Sequence, residues 1–519
     1  MDNSHKLLIA IDFGTTFSGA AFAFPNQDPE VRPILLWPSS ERGIKATDKA
    51  PTELRYPRGG DPEWGFLIPP DAHDDEILRL IKLGLESSQV PEGSEAARTV
   101  TALRAVHDVD QLIQHYLSGL LGHVMTAARE TMTDNVETYA TDFILTVPAI
   151  WSERSTQRTI RALQGARGFP PNATVSVLSE PEAAAIYTFE KIERHGLNIG
   201  DTFVVVDAGG GTVDLITYTL NSLQPTLEVT EAAPGSGGMC GSQFLNSRFL
   251  QFLDAKLGKA EGYDSFGRKE ALERFERDVI KLVREQIITS NAPVRKIMLI
   301  GGFGQSIYLK ERIQAASYPG IQGTLEVLQP EHACRAVVDG AVLKGLSMHM
   351  PGKVAHVRIK ARAARKHYGT EVGVPYREEL HSSIYNKRWY DGLDGIWRVD
   401  VLDWFITRGE IVSEKVAFLK NFSCMQRVAY GPPQKIWSQV YADDQSIDAP
   451  LARNKDVKVL CTLEADLSSI PLEDLDRRKG QDGAMYYVVD YQIESISVST
   501  SYTLIHKGER YRTVTEEYV

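Results

Sequence analysis

Along residues 1 to about 350 the apolar positions alternate between two patterns. Short runs of branched and aromatic residues at Leu7–Ile11, Phe143–Val147, Phe203–Val206 and Ile297–Ile300 each stop at an Asp, Pro or Gly and predict strands. Amphipathic stretches predict helices over Ser155–Arg167, Pro181–Arg194 and Gln243–Leu257, and the breaker-poor stretch 98–131 predicts one long helix. Such alternation is the α/β pattern. From about residue 352 helical periodicity fades. β-favouring runs follow at Val354–Ile359, Glu410–Phe418, Lys435–Tyr441, Val457–Leu463, Met485–Asp490 and Ser495–Ile505. Two domains are therefore expected, 1–350 and 351–519, joined near Met348–Gly352. Residues 25–75, where Pro, Gly and charge cluster, are expected to be surface loops.

Charge and cysteine content narrow the function classes. Of 519 residues, 57 are Lys or Arg and 68 are Asp or Glu, a formal charge of −11. That balance repels phosphate backbones, so no nucleic-acid partner is expected. The apolar run Leu7–Ile11 ends at Asp12, too short for a secretory segment or a membrane span, and no membrane partner is expected. Cys240, Cys334, Cys424 and Cys461 lack metal-ligand spacing, which favours a reducing compartment, cytoplasm or nucleus.

Three glycine turns that follow three strands carry the candidate chemistry. In the first, the strand delivers Asp12, then Phe13-Gly14-Thr15-Thr16. Gly14 lets backbone approach an anion, Thr15 and Thr16 supply amides and hydroxyls, and Asp12 suits magnesium held through water. An ordinary hairpin with glycine in its turn accounts for the same residues. The second turn repeats the arrangement as Asp207-Ala208-Gly209-Gly210-Gly211-Thr212, with Asp214 beyond it. Two such hairpins suggest duplicated halves facing one nucleotide, each giving one carboxylate to the metal. The third, Gly301-Gly302-Phe303-Gly304-Gln305, precedes a helical run over Ser306–Ala316 and suits backbone lying against an adenosine. Neither the lysine-bearing phosphate loop nor the dinucleotide fingerprint is present.

These turns resemble those of the DnaK-type, seventy-kilodalton heat-shock family within the actin and sugar-kinase superfamily. Further segments follow in the family's order. Val147-Pro148-Ala149-Ile150-Trp151, with Gln157 and Arg158 on the next helix, is similar to its first connecting segment. Ser179-Glu180-Pro181-Glu182-Ala183-Ala184-Ala185 is similar to its Glu-Pro-x-Ala-Ala-Ala helix start, and Ala336–Leu343 to its second connecting helix. More faintly, Lys435–Asp444, the pair Val488–Asp490 and Ile496–Ser499, and an opening turn at Tyr368-Gly369 with Gly373 resemble its substrate-binding β-sandwich.

The resemblance implies an α/β, actin-like two-lobed ATPase with ribonuclease H-like lobes, lobe I about 1–195 plus 331–350 and lobe II about 196–330. A β-sandwich-like domain without a helical lid would follow. It implies ATP or ADP and Mg2+ as cofactors. Asp12 and Asp207 would hold hydrated magnesium. Gly14, Thr15, Thr16, Gly209, Gly210, Gly211 and Thr212 would bind phosphates. Glu180 would orient or deprotonate the attacking water and Lys82 would meet the γ-phosphate, while Gly301, Gly302, Phe303 and Gln305 would flank the adenosine. Pro148 resembles the family's switch proline. The implied partners are polypeptide clients or a protein partner held by the β domain, together with co-chaperones.

Three departures bear on function. The chain stops soon after the last β run, where the family has its lid. Only about 60 residues separate Cys240 from Gly301, so the adenosine-clamping subdomain is shortened, with Arg277, Lys281 and Arg284 as loose candidates and Gln305 in place of a base-stacking arginine. His349-Met350-Pro351-Gly352-Lys353 replaces the family's acidic, leucine-rich linker. The expected function is an ATP-regulated, chaperone-like protein with weak magnesium-dependent ATPase activity. A non-hydrolysing ATP sensor or scaffold and a small-molecule kinase are the alternatives.

Overall fold

Strand β1 (Lys6–Asp12) is buried from Leu7 onward, and the strand Thr202–Ala208 is buried throughout, because both faces of each are covered. The computed structural model describes residues 6–41, 43–86, 90, 92–93, 95–131, 139–191, 198–223, 227–242, 279–290, 292–321, 325–350, 357–413, 417–468, 472–496 and 501–515. The chain divides into two compact units, Met1–Arg358 and Ile359–Val519.

In the first unit, β1, β2 (Phe17–Phe24), β3 (Asp28–Pro33), the short β4 (Ala50–Pro51), β5 (Ala140–Val147) and β6 (Thr174–Ser179) share one sheet, ordered β6-β5-β1-β2-β3 with β4 on β2. A second sheet contains β7 (Thr202–Ala208), β8 (Val213–Ser222), β9 (Leu227–Gly238), β10 (Val294–Ile300) and β11 (Glu326–Leu328), ordered β11-β10-β7-β8-β9. The two sheets repeat one plan. Each opens with an antiparallel hairpin, β1-β2 or β7-β8, and pairs the first strand of that hairpin in parallel with a later strand, β5 or β10. Strand β6 or β11 then adds in parallel outside it.

Helices cover these sheets. The stretch expected as one helix is two, α1 (Glu95–Val106) and α2 (Val109–Thr131). Asp108 causes the break, because its carboxylate accepts from the Asp110 amide at 3.0 Å and caps the second helix. Next come α3 (Glu153–Gln164), capped by Ser152, α4 (Glu180–Lys191), α5 (Ile307–Ala315) and α6 (Ala336–His349). A Cβ on Gly340 of α6 would stand 1.8 Å from the Ala183 carbonyl oxygen, so α6 and α4 cross backbone to backbone. No described helix is long and apolar enough to cross a membrane.

Residues 25–75 are not loops throughout. Besides β3 and β4 they form short strands at Leu36–Ser39, Gly43–Ala46, Leu54–Arg55 and Glu63–Trp64. Trp37 is fully buried edge-on to Trp64, so apolar packing overrides the local turn composition. The expected helix Gln243–Leu257 lies outside the described residues, as do 351–356 and 497–500.

The second unit is β-rich. Strands β12 (His367–Pro375), β13 (Trp389–Asp391), β14 (Ile396–Ile406), β16 (Lys435–Asp443) and β17 (Lys458–Asp466) form an antiparallel sheet ordered β13-β14-β12-β16-β17. Strand β15 (Ala417–Arg427) joins β18 (Asp476–Lys479), β19 (Met485–Ile496), β20 (Ser501–His506) and β21 (Glu509–Thr515) in a second one. Phe405, Ile436, Val440 and Leu463 of the first sheet share one core with Tyr487, Val489 and Ile493 of the second. Tyr368, Gly369 and Gly373 lie within strand β12, not in an opening turn. The expected strand Ser495–Ile505 belongs to two strands, β19 and β20.

Candidate phosphate site

The first turn is anchored from beneath. Phe13 is fully buried against Tyr116 of α2, ring centroids 5.8 Å apart, and burying such a ring is worth roughly 1.5–3 kcal/mol. The Gly14 amide donates to Ser18 Oγ at 3.2 Å, and Ser18 shares a 2.8 Å hydrogen bond with Thr52. The Thr52 amide in turn donates to the Thr16 carbonyl at 2.8 Å.

The second turn meets the first directly. A Cβ on Gly210 would stand 2.0 Å from Thr16 Oγ1, and one on Gly211 would stand 2.5 Å from Thr15 Oγ1. Only residues without side chains permit that approach. Gly209 donates its amide to the Thr212 carbonyl at 3.0 Å and closes the turn. The third turn is tied to the second by Gly301, whose φ of 85° is left-handed and whose Cβ would fall 2.3 Å from Asp207 Oδ1. Gly302 and Gln305 are exposed, and Phe303 packs on the core of the second sheet. Lys281 pairs with Glu285, and Arg284 donates to the Ser317 carbonyl. Arg277 lies outside the described residues.

Lys82 stands on a 3-10 turn, Ile81–Gly84, entered through Leu80 in the left-handed region at φ 58°. The turn is braced from α3, where Arg158 donates to the Leu85 carbonyl at 3.1 Å. Lys82 is buried beside the Trp151 ring, 5.0 Å from its centroid, and its Nζ donates to Glu180 Oε1 at 2.7 Å. Glu180 opens α4, where the helix N-terminus favours an acid. The structure thus brings Asp12, Thr15, Thr16, Lys82, Glu180, Asp207 and Gly209–Thr212 together around the junction of two turns.

Two residues in that junction carry no assignment from sequence. Lys49 Nζ donates to Asp12 Oδ2 at 2.5 Å, and Asp214 accepts from the Ala149 amide at 2.9 Å. No local spacing marks Lys49, which sits in the region expected to be loop. Asp214 was visible only as the acid that closes the second motif.

The electrostatics follow from crowding. Burial, reinforced by Glu180, pushes Asp207 well above the usual carboxylate range, with Lys49 opposing. Burial lifts Glu180 to about 7 despite the pull of Lys82. Burial also raises Asp214 against the hydrogen bond from Thr212. For Lys49 burial acts downward, but the Asp12 carboxylate outweighs it and the net shift is upward. Four carboxylates, Asp12, Glu180, Asp207 and Asp214, face two ammonium groups, so the junction is short of positive charge.

This donor set suits the polyphosphate of a nucleotide: turn amides, threonine hydroxyls and two lysines converge where side chains are absent. A hydrated magnesium ion shared by Asp12 and Asp207 fits less well, because Asp12 already carries Lys49 on one oxygen and Thr146 Oγ1, 3.4 Å away, on the other.

Comparison with known proteins agrees with the geometry. The profile of the family described as Hsp70 protein matches residues 98–311, a span that holds Glu180, the second turn and the third. Human heat shock 70 kDa protein 12B is 26% identical over 318 residues, covering 48% of this chain and 45% of that protein. Mouse heat shock 70 kDa protein 12A is 23% identical over 309 residues, with the same coverage. Chaperone protein DnaK of Stenotrophomonas maltophilia (strain R551-3) is 25% identical over 178 residues, 33% of this chain and 26% of that one. The matches span less than half of each relative. With the two Asp-Gly-Thr turns in contact and these relatives alongside, the chain is similar to divergent 70-kDa heat-shock proteins, and residues 98–311 match that family's profile.

Proposed function

We propose that the first unit binds ATP or ADP across the junction of the two turns, hydrolyses ATP slowly, and passes its nucleotide state to a β domain that engages a polypeptide or protein partner. In this reading the two matched sheets are the ribonuclease H-like lobes of an actin-like nucleotide-binding domain, and residues 351–519 are a lidless β-sandwich for the partner. The contact of Gly210 with Thr16 and of Gly211 with Thr15 carries the reading, since two turns that touch could share one ligand.

Each residue has a chemical part. Amides of Thr15, Thr16, Gly210 and Gly211 and the hydroxyls of Thr15 and Thr16 donate to phosphate oxygens, while Gly209 and Thr212 spend their donors inside the turn. Glu180, with a carboxyl near neutrality, takes the proton as water adds to the γ-phosphorus and the bond to the β-phosphate oxygen breaks, releasing ADP. Lys82 holds the Glu180 carboxylate in place and offsets charge that develops on the phosphoryl group. Magnesium, when bound, neutralises phosphate charge, and Asp207 is the acid with an oxygen to offer its water shell.

A second reading is favoured by one observation. Lys49 on Asp12 leaves only one carboxylate of the pair for the metal, which suits a protein that senses ATP without turning it over. Calorimetric titration with ATP and single-turnover phosphate release separate the two. ATP uptake with phosphate release is expected; uptake without release selects the sensor, and no uptake at millimolar ATP removes both.

A further inference from the structure

We propose that Lys49 is the resident cation of the nucleotide site: its ammonium stands against Asp12 where a divalent ion would otherwise bridge carboxylate and phosphate, so nucleotide binds with little help from magnesium. The proposal rests on the ATP reading above and deepens it by assigning the cofactor requirement.

The lysine is placed by the fold. Strand β4 pairs with β2 through Ser18↔Ala50 and Phe17↔Pro51, so continuing the register sets Lys49 beside Gly19. The stem of Lys49 lies over that glycine, its Cγ 3.3 Å and its Cε 3.5 Å from where a Gly19 Cβ would be. A side chain at position 19 would push the stem aside. The neighbouring residue, Asp48, has partners of its own. It accepts from Cys334 Sγ at 2.8 Å and lies 3.6 Å from Arg335 Nη1. On the far side, Tyr116 donates to the Pro51 carbonyl at 3.0 Å. The backbone is therefore tied on both sides of Lys49, and the ammonium is directed rather than free to swing.

The ammonium has capacity to spare. It carries three donors, and Asp12 takes one. Two remain for the phosphate oxygens that the turns gather, where a charge-assisted hydrogen bond is stronger than a neutral one. Its side chain is 18% exposed and that of Asp12 is 5% exposed, so solvent screens the pair only weakly. A divalent ion bridging the same carboxylate to phosphate must first break this enclosed pair. Asp207 offers no equivalent arrangement: its cross-strand partner on β8 is Asp214, an acid where β2 has Gly19.

The test is calorimetric titration of ATP and ADP into the full chain, once in excess EDTA and once in millimolar magnesium, for the natural protein, Lys49→Met and Lys49→Arg. The natural protein is expected to change affinity by no more than about threefold between the two conditions. Lys49→Met removes a buried, hydrogen-bonded charge and is expected to lose about 30-fold or more in EDTA, with magnesium restoring most of the loss. Lys49→Arg keeps the charge and is expected to stay closer to the natural protein than Lys49→Met in EDTA. Melting of each ligand-free variant reports its folding. If Lys49→Met does not fold, the ratio for the natural protein decides alone. A collapse of the natural protein's affinity in EDTA overturns the proposal, and so does a Lys49→Met variant as indifferent to magnesium as its parent. Absence of binding in both conditions removes the ATP reading itself, a distinct result.

Discussion

The two phosphate turns share a plan and differ in one exchange of charge. Each ends a first strand with an aspartate and continues through glycine to threonine, and each lies at the same place in a sheet of the same order. Opposite Asp12 stands Gly19, which admits the stem of Lys49; opposite Asp207 stands Asp214. One half therefore carries its own counter-ion, while the other gathers acids that burial drives toward protonation. Two copies of a motif need not make two copies of a site: the acid opposite Asp207 lies within its own hairpin, while the lysine on Asp12 comes from 37 positions away.

The largest effect that would sharpen this contrast is catalytic. Glu180, whose charge helps push Asp207 upward, is tested first, and Glu180→Gln is expected to lower single-turnover hydrolysis about 10²- to 10⁴-fold while ATP affinity stays within about threefold. An unchanged rate would move the attacking water to another residue. Next is the counter-ion of Glu180. Lys82→Met strands a buried carboxylate and is expected to cost about 3–5 kcal/mol in urea unfolding. A loss below 1 kcal/mol would mean that Glu180 is held neutral without its lysine.

The contact between the halves is tested by two neighbouring glycines. Gly210→Ala drives a methyl into Thr16 and is expected to cost about 1–3 kcal/mol, whereas Gly209→Ala, whose nearest neighbour is the Thr212 carbonyl at 3.3 Å, should cost under half as much. Equal losses would show that the turns part easily. The smallest effect is the pH response of the ligand-free protein. Glu180 and Asp207 keep protons in the folded state that the unfolded chain has already released. Their contribution is full below the ordinary values of 4.5 and 3.8, and that of Glu180 is lost as pH rises through about 7. Stability should fall by on the order of 1 kcal/mol between pH 5 and 7.5, measured by denaturant melts, and Glu180→Gln should flatten that slope. Asp443, shifted down by hydrogen bonds from Ser446 that outweigh its burial, acts only below 3.8, whereas Asp339, lifted to about 6 by burial, titrates inside the window and keeps part of the slope in Glu180→Gln.

Much of this was legible from local pattern. Strands Leu7–Ile11, Phe143–Val147, Phe203–Val206 and Ile297–Ile300 each lie inside an observed strand, because a central strand covered on both faces must be apolar along its length. The split at Asp108 was hidden, since an aspartate inside a helical stretch signals a cap only once its side chain is seen to turn back. Residues 25–75 misled because their strands are short and Trp37 is buried by residues distant in sequence. That misreading also concealed Lys49, whose role depends on a register with β2 that no periodicity encodes. The pairing of Lys82 with Glu180 spans 98 positions and likewise belongs to the fold.

The crossing of α4 and α6 has a mechanical corollary. Gly340 rests on the carbonyl of Ala183 with no cushion of side chains, so the helices cannot slip past one another by exchanging rotamers. Glu180 begins one of them, and Arg335, the neighbour of Asp48, immediately precedes the other. A displacement of either helix would therefore be passed to the other, with Glu180 at the start of one and Arg335 at the start of its partner.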